Sequence, residues 1–411
     1  MHKQENLAIV GAGASGMAAA IAAARLGDRV TLVEKLNQPG KKILASGNGR
    51  CNLMNLYPGR FYGDPAFAQK VLGEDPIAKL TAFWESMGLR LRFDSEGRGY
   101  PRTMMAATVL ETLRAEMRRC GVQLVTGFQV EDVWQEAGSF SIRASGGRFL
   151  RADRVILSTG GAAQPKLGGN TSAWPWLERE GHHLIDASPS LTPLRTDKRS
   201  IAGLAGLRIR GSVRLLTAGQ LIQEEQGEVL FTDSGISGIC VMQCSRKAVP
   251  CRSEIRINGM EGLFAQTEEL AKTLFHRREC WPEENPEQLL AGFYPARMCY
   301  ALCKQAGFSM RGERIKAISD EQILALAESA LGYRVEIEGR EDFDRAQVMA
   351  GGADCSQIRP ENMESLCCPG LHLTGELTNV DGECGGYNLM YAFMSGLKAG
   401  CNGRKLIYDQ R

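Results

Sequence analysis

Three things are nearly absent from this chain, and each absence removes a class of function. Net charge is the first: 49 lysines and arginines stand against 47 aspartates and glutamates in 411 residues. The whole protein is therefore not an electrostatic binder of nucleic acid or membrane, although a local basic patch is compatible with that balance. The second is a paired-cysteine motif. Thirteen cysteines include no C-x-x-C, which leaves neither a thioredoxin-type dithiol nor a common zinc pair, and no metal is expected. Cys240 with Cys244, and Cys299 with Cys303, have the i,i+4 spacing of small core residues on helices; Cys367 and Cys368 are adjacent. An odd count without an export signal implies a reducing cytoplasm. The third is a long apolar run. Residues 7–24 carry no charge and follow Lys3, but three glycines and a serine interrupt them. No other stretch approaches the roughly 20 residues that span a bilayer, so no membrane association is expected.

What is present begins at residue 7. The apolar strand Leu7-Ala8-Ile9-Val10 runs into Gly11-x-Gly13-x-x-Gly16, and an alanine-rich helix follows with Met17, Ala20, Ile21 and Ala24 spaced for one buried face. A second strand, Val30-Thr31-Leu32-Val33, ends in Glu34, eighteen residues past the third glycine. Gly11 permits the tight turn, Gly13 lets backbone approach a pyrophosphate, and Gly16 lets the helix pack close to the sheet. The helix N-terminus offers unpaired N–H groups to phosphate charge. Glu34 can accept both hydroxyls of an adenosine ribose and would repel a 2′-phosphate, so the nucleotide is FAD or NAD rather than NADP. No second G-x-G-x-x-G follows, so any nicotinamide donor binds transiently or is absent.

A Gly/Ser/Asn-rich loop over residues 43–52 comes next, its freed amides and its basic neighbours Lys42 and Arg50 suited to a pyrophosphate or a flavin edge. Helices are expected within 65–92, including Ile77 to Met87, then a turn at Arg98-Gly99-Tyr100-Pro101, a helix from Met104 to Arg119, and a strand from Val122 to Thr126. Short β segments from Gln129 onward, with Gly146-Gly147 as a hairpin turn, lead to a buried strand ending in Thr159-Gly160-Gly161. Near Leu191 the composition changes. Residues 207–210 and 212–215 alternate with period two as two β segments, helices fill Gln266 to Leu331 behind a Ser319-x-x-Gln322 capping box, and Tyr333, Val335 and Ile337 mark another strand. Arg208, Arg210 and Arg214 read as a solvated strand face, with phosphate contact the alternative.

From Ala346 the chain is again apolar and glycine-rich. His372 reads as an ordinary strand residue. Glu376 can bind ribityl hydroxyls, and the last helix, opened by Gly385-Gly386-Tyr387-Asn388-Leu389, can point its positive end at a flavin. The chain at 411 residues is too long for one simple core. The expected organisation is α/β: a three-layer, Rossmann-like FAD-binding domain with a single dinucleotide-binding βαβ, formed by 1–190 and 346–411. Between them lies an insert over 191–345, β-rich in 191–260 and mainly helical in 261–345.

Taken together, GAGASG at 11–16, GKKILASGNGRCN at 40–52, VILSTGG at 155–161, LFTDSGISG at 230–238 and the long segment at 350–396 resemble the aminoacetone oxidase family of FAD-binding enzymes, also called BaiN-like flavoproteins. The resemblance extends over nearly the whole chain. It implies a discontinuous FAD domain whose insert supplies a wall opposite the flavin, and FAD contacts from Gly11, Gly13, Ser15, Gly16, Glu34 and Lys35. It implies further contacts from Lys42, Asn48, Gly49, Arg50, Val130, Thr159, Gly160, Gly375, Glu376, Asn388 and Leu389. Ala14, Ser46, Gly47, Cys51, Gly161, Gly386 and Tyr387, within the same motifs, complete the candidate cofactor set. Two departures bear on substrate rather than on FAD: Asp233 and Ile239 replace the family's frequent His and Pro, and Gly168 to Trp174 replaces a G-S-T-G-D-G-Y run.

Activities described in the family are amine oxidation, reduction of a carbon–carbon double bond in steroid acids, and reduction of uridine in ribosomal RNA. The first expectation is a reductase passing hydride from reduced FAD to an activated C=C of a small molecule. The alternatives are an amine oxidase using O₂, and an RNA-binding flavoprotein whose Arg208, Arg210, Arg214, Arg246 and Lys247 converge on one face. Tyr100, Asp233 and Tyr387 are the candidate proton donors, with structural hydrogen bonding the competing role for each.

Overall fold

A computed structural model describes residues 4–310 and 312–405. They form two compact units, one made of Met1–Pro189 with Gln347–Arg411 and the other of Ser190–Ala346.

The first unit is built on a five-stranded parallel sheet. Its order is Leu371–Leu373, Arg154–Leu157, Asn6–Val10, Arg29–Val33, Gln123–Val125. These strands are short and almost wholly apolar because a parallel sheet is covered on both faces. The helices Ala14–Arg25, Ala106–Arg119 and Tyr387–Cys401 form one layer. The antiparallel meander Val130–Glu136, Ser139–Ala144, Phe149–Ala152 forms another.

The first helix differs from the one-faced pattern expected of it: every residue from Ser15 to Ala23 is buried. The last helix is the reason. A Cβ at Gly396 would lie 2.2 Å from the Ser15 carbonyl oxygen, and one at Gly400 would lie 2.4 Å from that of Ala19. Glycine on one helix and alanine on the other thus bring two backbones together, and little surface is left for solvent.

Two local readings are corrected. Arg98–Pro101 is a strand, not a turn, hydrogen-bonded to Met54–Asn55 on one side and Leu91–Phe93 on the other. The loop after Gly40 opens with a helical turn, Lys41–Ala45, before a 3₁₀ turn over Ser46–Gly49.

At the end of the sheet remote from the glycine turn, Arg154 is almost fully buried. It donates to Glu5 Oε2 (3.1 Å), Asp28 Oδ2 (3.2 Å) and the Ala399 carbonyl (2.8 Å). Arg404 adds a second guanidinium on Asp28. His372, beside it, is an ordinary strand residue. Its Nδ1 meets the Asn362 carbonyl at 2.9 Å, and its Nε2 has no hydrogen-bond partner. Burial first, and Arg154 second, push the imidazole down to about 4 from 6.5. The folded state therefore binds fewer protons than the unfolded one between those values. Stability present above pH 6.5 is lost as the pH falls through that window, by up to about 3 kcal/mol. His372→Asn should flatten that part of the stability-versus-pH curve measured by urea denaturation.

The second unit is a closed six-stranded antiparallel barrel in the order Leu194–Thr196, Gly235–Ser237, Gln220–Phe231, Arg208–Thr217, Ser253–Asn258, Tyr333–Arg340. Val213, Leu215, Val229, Phe231, Ile255 and Val335 are among the residues that fill its core. Closure removes the exposed edges that an open sheet of these strands would present. The two β segments expected at 207–215 are one ten-residue strand, continuous through Gly211, where a Cβ would lie 1.9 Å from the Asn258 carbonyl oxygen. Helices Thr267–Cys280, Ala296–Gln305 and Asp320–Leu331 complete the unit, the last closed by the Ser319/Gln322 capping box. Cys240, Cys244, Cys299 and Cys303 are all buried on helices. Among the described residues no helix is long and apolar enough to cross a membrane.

Candidate cofactor site

The site begins where the first strand hands over to the first helix. Gly11 has φ +104°, and its N–H donates to the Val33 carbonyl (2.8 Å). A Cβ there would lie 2.4 Å from the Ser158 carbonyl oxygen, and one at Gly16 would lie 1.9 Å from the Gly11 carbonyl oxygen. Gly13 is different: nothing stands within 4 Å of its Cβ position. Two glycines thus close the turn and the third faces open space, at the point where a phosphate would approach the amides of Ala14 and Ser15. Sheet order reverses between Asn6–Val10 and Arg154–Leu157, whose carboxyl ends lead into Gly11 and Ser158. This is the crevice in which open α/β sheets bind their ligands.

Glu34 ends the second strand with its carboxylate oriented by two backbone donors. Oε2 accepts from Ala12 N (2.9 Å) and Oε1 from Leu36 N (3.0 Å). Each oxygen keeps a further acceptor position, so the acid is held ready for ribose hydroxyls rather than consumed. Lys35 runs past Gly168, 3.7 Å from its Cβ position, and burial lowers its ammonium pKa while Glu34 raises it. Val130 is buried at the start of the meander.

The returning chain adds a second wall. Gly375 lies against Ser15, whose Oγ is 2.9 Å from the glycine's Cβ position, and Gly160 is 3.9 Å by the same measure from Glu376 Oε2. Gly161 backs onto Met349. Glu376 pairs with Lys42 (2.7 Å) and accepts from Met349 N (2.6 Å). Its carboxylate and the Lys42 ammonium, each expected to meet the cofactor, first hold one another, and thereby hold the first and last segments of the unit together. Asn388 spends its side-chain amide on Gly382, with both bonds at 2.8 Å. What it and Leu389 retain are main-chain N–H groups in the first turn of the last helix.

The third wall is the turn at 46–51. Gly47, Asn48, Gly49 and Cys51 all have positive φ, of 56°, 53°, 80° and 59°. Two of them are not glycines, and such strained runs gather at ligand sites. Ser46 Oγ donates to the Ile43 carbonyl (2.6 Å), Arg50 is exposed, and burial pushes the Cys51 thiol up to about 12, which removes it as a nucleophile. Gly386 packs on Met54, 2.5 Å from Cβ position to carbonyl oxygen. Tyr387 donates its hydroxyl to the Tyr57 carbonyl (3.1 Å), and Asp233 is exposed on the barrel unit.

Sequence reasoning missed Asn52 and Met349. Asn52 closes the glycine-rich motif and was within reach of that reading; Met349 was not, because what matters is its main-chain N–H. The buried Asn52 Oδ1 and Thr159 Oγ1 have no hydrogen-bond partner. Unpaired polar atoms are costly in a finished interior, and on the walls of this crevice they fit a polar ligand that completes them. The open space at Gly13 and the oriented Glu34 fit its pyrophosphate and ribose.

A phosphate turn at a sheet switch point, a ribose-directed acid and a helix returning from the end of the chain define a Rossmann-type FAD-dependent oxidoreductase. The chain belongs to the HI0933-like protein Rossmann domain family, which it matches over residues 5–402. It is 38% identical to a 3-dehydro-bile acid delta(4,6)-reductase of Clostridium scindens over 96% of this chain and 98% of that one. It is 28% identical to a ribosomal RNA dihydrouridine synthase of Escherichia coli over 94% and 95% of the two chains. Among solved structures, a 3-ketosteroid-delta4-(5alpha)-dehydrogenase of Rhodococcus jostii aligns with 98% of this chain and 97% of its own, with a TM-score of 0.51 at 17% identity, a likeness of fold.

Proposed function

We propose that the protein reduces a carbon–carbon double bond conjugated to a carbonyl in a small ring-fused substrate of the steroid-acid type. FAD, when bound, supplies hydride transfer between a reductant and that bond. The chain holds the pyrophosphate at Ala14 and Ser15, the ribose at Glu34, and the remainder between the 46–51 turn and the amides of Asn388 and Leu389. The Lys42–Glu376 pair fixes the two halves of this cradle. NAD(P)H or another reductant binds transiently, since one phosphate turn serves one dinucleotide.

The observation that carries this reading is the 38% identity, over almost the full length of both chains, to a protein named for reducing conjugated double bonds. Reduction of uridine in RNA is the second reading, favoured by the relative named for it. Here Arg208 pairs with Glu228 on the neighbouring strand, and Arg214 Nε lies 2.8 Å from Glu224 Oε1. Two of the arginines needed for a phosphate-binding face thus have acidic neighbours that weaken its positive field, which favours the small molecule. The test is anaerobic. Purified protein, photoreduced, should have its flavin reoxidised by a 3-oxo steroid bearing a conjugated double bond, with two hydrogens added to the product by mass. Reoxidation by a uridine-containing ribosomal RNA fragment alone would move the assignment to RNA, and rapid reoxidation by air with neither substrate active would move it to an oxidase.

A further inference from the structure

Reduction of a conjugated double bond needs a proton as well as a hydride, and the three side chains nominated for it differ in their commitments. Tyr387 already donates its hydroxyl hydrogen bond to the Tyr57 carbonyl, and Asp233 is exposed. Tyr100 is uncommitted. Its ring is covered to 9% exposure, yet its hydroxyl hydrogen-bonds no group among the described residues. It stands on the strand Arg98–Pro101, which is hydrogen-bonded along both edges and so cannot drift. One ring edge lies against the strained turn, with Cε1 3.8 Å from the Cβ position of Gly47. The charged and titratable groups facing it are Arg98 and Asp94 from its own hairpin, Arg50 from the turn, and Cys384 from the loop before the last helix. Arg98 is fixed by Asp94 (2.9 Å) and Glu96 (2.7 Å). Burial raises the phenol above its ordinary value while Arg98 and Arg50 pull it down, so it stays protonated at neutral pH with cations at hand for the phenolate.

We infer that Tyr100 is the proton donor, delivering its phenolic proton to the carbon α to the carbonyl while hydride adds at the β carbon. The inference rests on the reductase reading above. The bond formed at the β carbon takes both its electrons from the hydride. The alkene π pair shifts toward the carbonyl and then forms the C–H bond at the α carbon as the Tyr100 O–H bond breaks. Two electrons and one proton have then joined the hydride's hydrogen on the substrate, and a nicotinamide or other two-electron donor replaces the electrons. The phenolate recovers its proton from water, its charge meanwhile faced by Arg98 and Arg50.

A cyclic nitroalkene separates the two steps, because its hydride adduct is a stabilised nitronate that absorbs in the ultraviolet. Holoenzyme with Tyr100→Phe should be reoxidised by the nitroalkene within about threefold of wild type but release nitronate, while wild type releases nitroalkane. With the steroid enone its turnover should fall ~100-fold or more. Independently of activity, the ring-carbon resonance of Tyr100, assigned by its loss in the variant, should titrate above the ordinary tyrosine value in the FAD-loaded protein. Nitroalkane released by Tyr100→Phe at the wild-type rate overturns the inference, as does nitronate release by Cys384→Ala but not by Tyr100→Phe. If wild type reduces neither alkene, the reductase reading itself has failed, an outcome visible before any variant is made.

Discussion

Gly16→Ala is expected to yield a chain that no longer retains FAD. The added methyl would sit 1.9 Å from the Gly11 carbonyl oxygen and 3.2 Å from Ser158 Cβ, and neither neighbour is the loose end of a flexible side chain. The helix must lift or the turn must open. Overpacking of this kind costs about 1–3 kcal/mol in stability. The larger loss is in the ligand, because the displaced turn is the one whose amides are aimed at the pyrophosphate. Misaligning two charge-assisted hydrogen bonds, each about 1.5–3 kcal/mol, amounts to a ~100-fold or greater fall in affinity. Gly13→Ala separates the two effects. Nothing stands within 4 Å of its methyl, so the protein should fold with its stability unchanged in the absence of FAD and still bind FAD poorly, the methyl occupying the phosphate's space. Flavin absorbance per chain after gel filtration, with thermal unfolding of FAD-stripped protein, reads both. Stoichiometric FAD in Gly16→Ala would show that this turn does not hold the cofactor.

Arg154→Ala should be the most damaging single change away from the cradle. Arg154 is 4% exposed and Asp28 1%, so removing the guanidinium strips donors from a carboxylate that water cannot reach, and leaves the Ala399 carbonyl without its side-chain donor. Breaking one partner of a buried pair typically costs about 3–5 kcal/mol. Arg404, still on Asp28, should hold the loss near the lower figure. Because the cluster lies at the end of the sheet remote from the glycine turn, FAD affinity in the folded fraction should stay within a few-fold of wild type while the urea midpoint drops. A loss of FAD without a loss of stability would mean that the cluster acts on the site and not on the fold.

The parts legible in the sequence share a physical cause: they are specified locally. The first strand–turn–helix was readable because Gly11, Gly13 and Gly16 do their work within six residues of one another, and the Ser319 capping box because both partners lie in one turn. Arg98–Pro101 was misread because Gly and Pro signal a turn, whereas its strand character comes from Met54–Asn55, more than forty residues earlier. Gly211 split one strand in two on paper for the same reason. Glycine reads as a break, but here it admits the Asn258 carbonyl oxygen from a neighbouring strand. The Lys42–Glu376 pair, 334 residues apart, and the Met349 N–H left no local signal. Fold class and cofactor were therefore legible; which donor meets which acceptor was not.

The discontinuity of the cofactor unit has a consequence in time. A ribosome finishes residues 1–189 long before it makes Gly375, Glu376 and the helix Tyr387–Cys401. At ordinary elongation rates the interval to the end of that helix is roughly 10–40 s. During it the alanine face of the first helix, from Ser15 to Ala23, has no Gly396 or Gly400 to cover it, whereas the barrel has its last strand at Arg340, before the last helix is made. A nascent chain must shelter that face, through a chaperone or through transient burial against its own sheet. FAD capture then becomes a signal that translation has reached the last helix, so a prematurely terminated product would stay colourless and open to proteolysis.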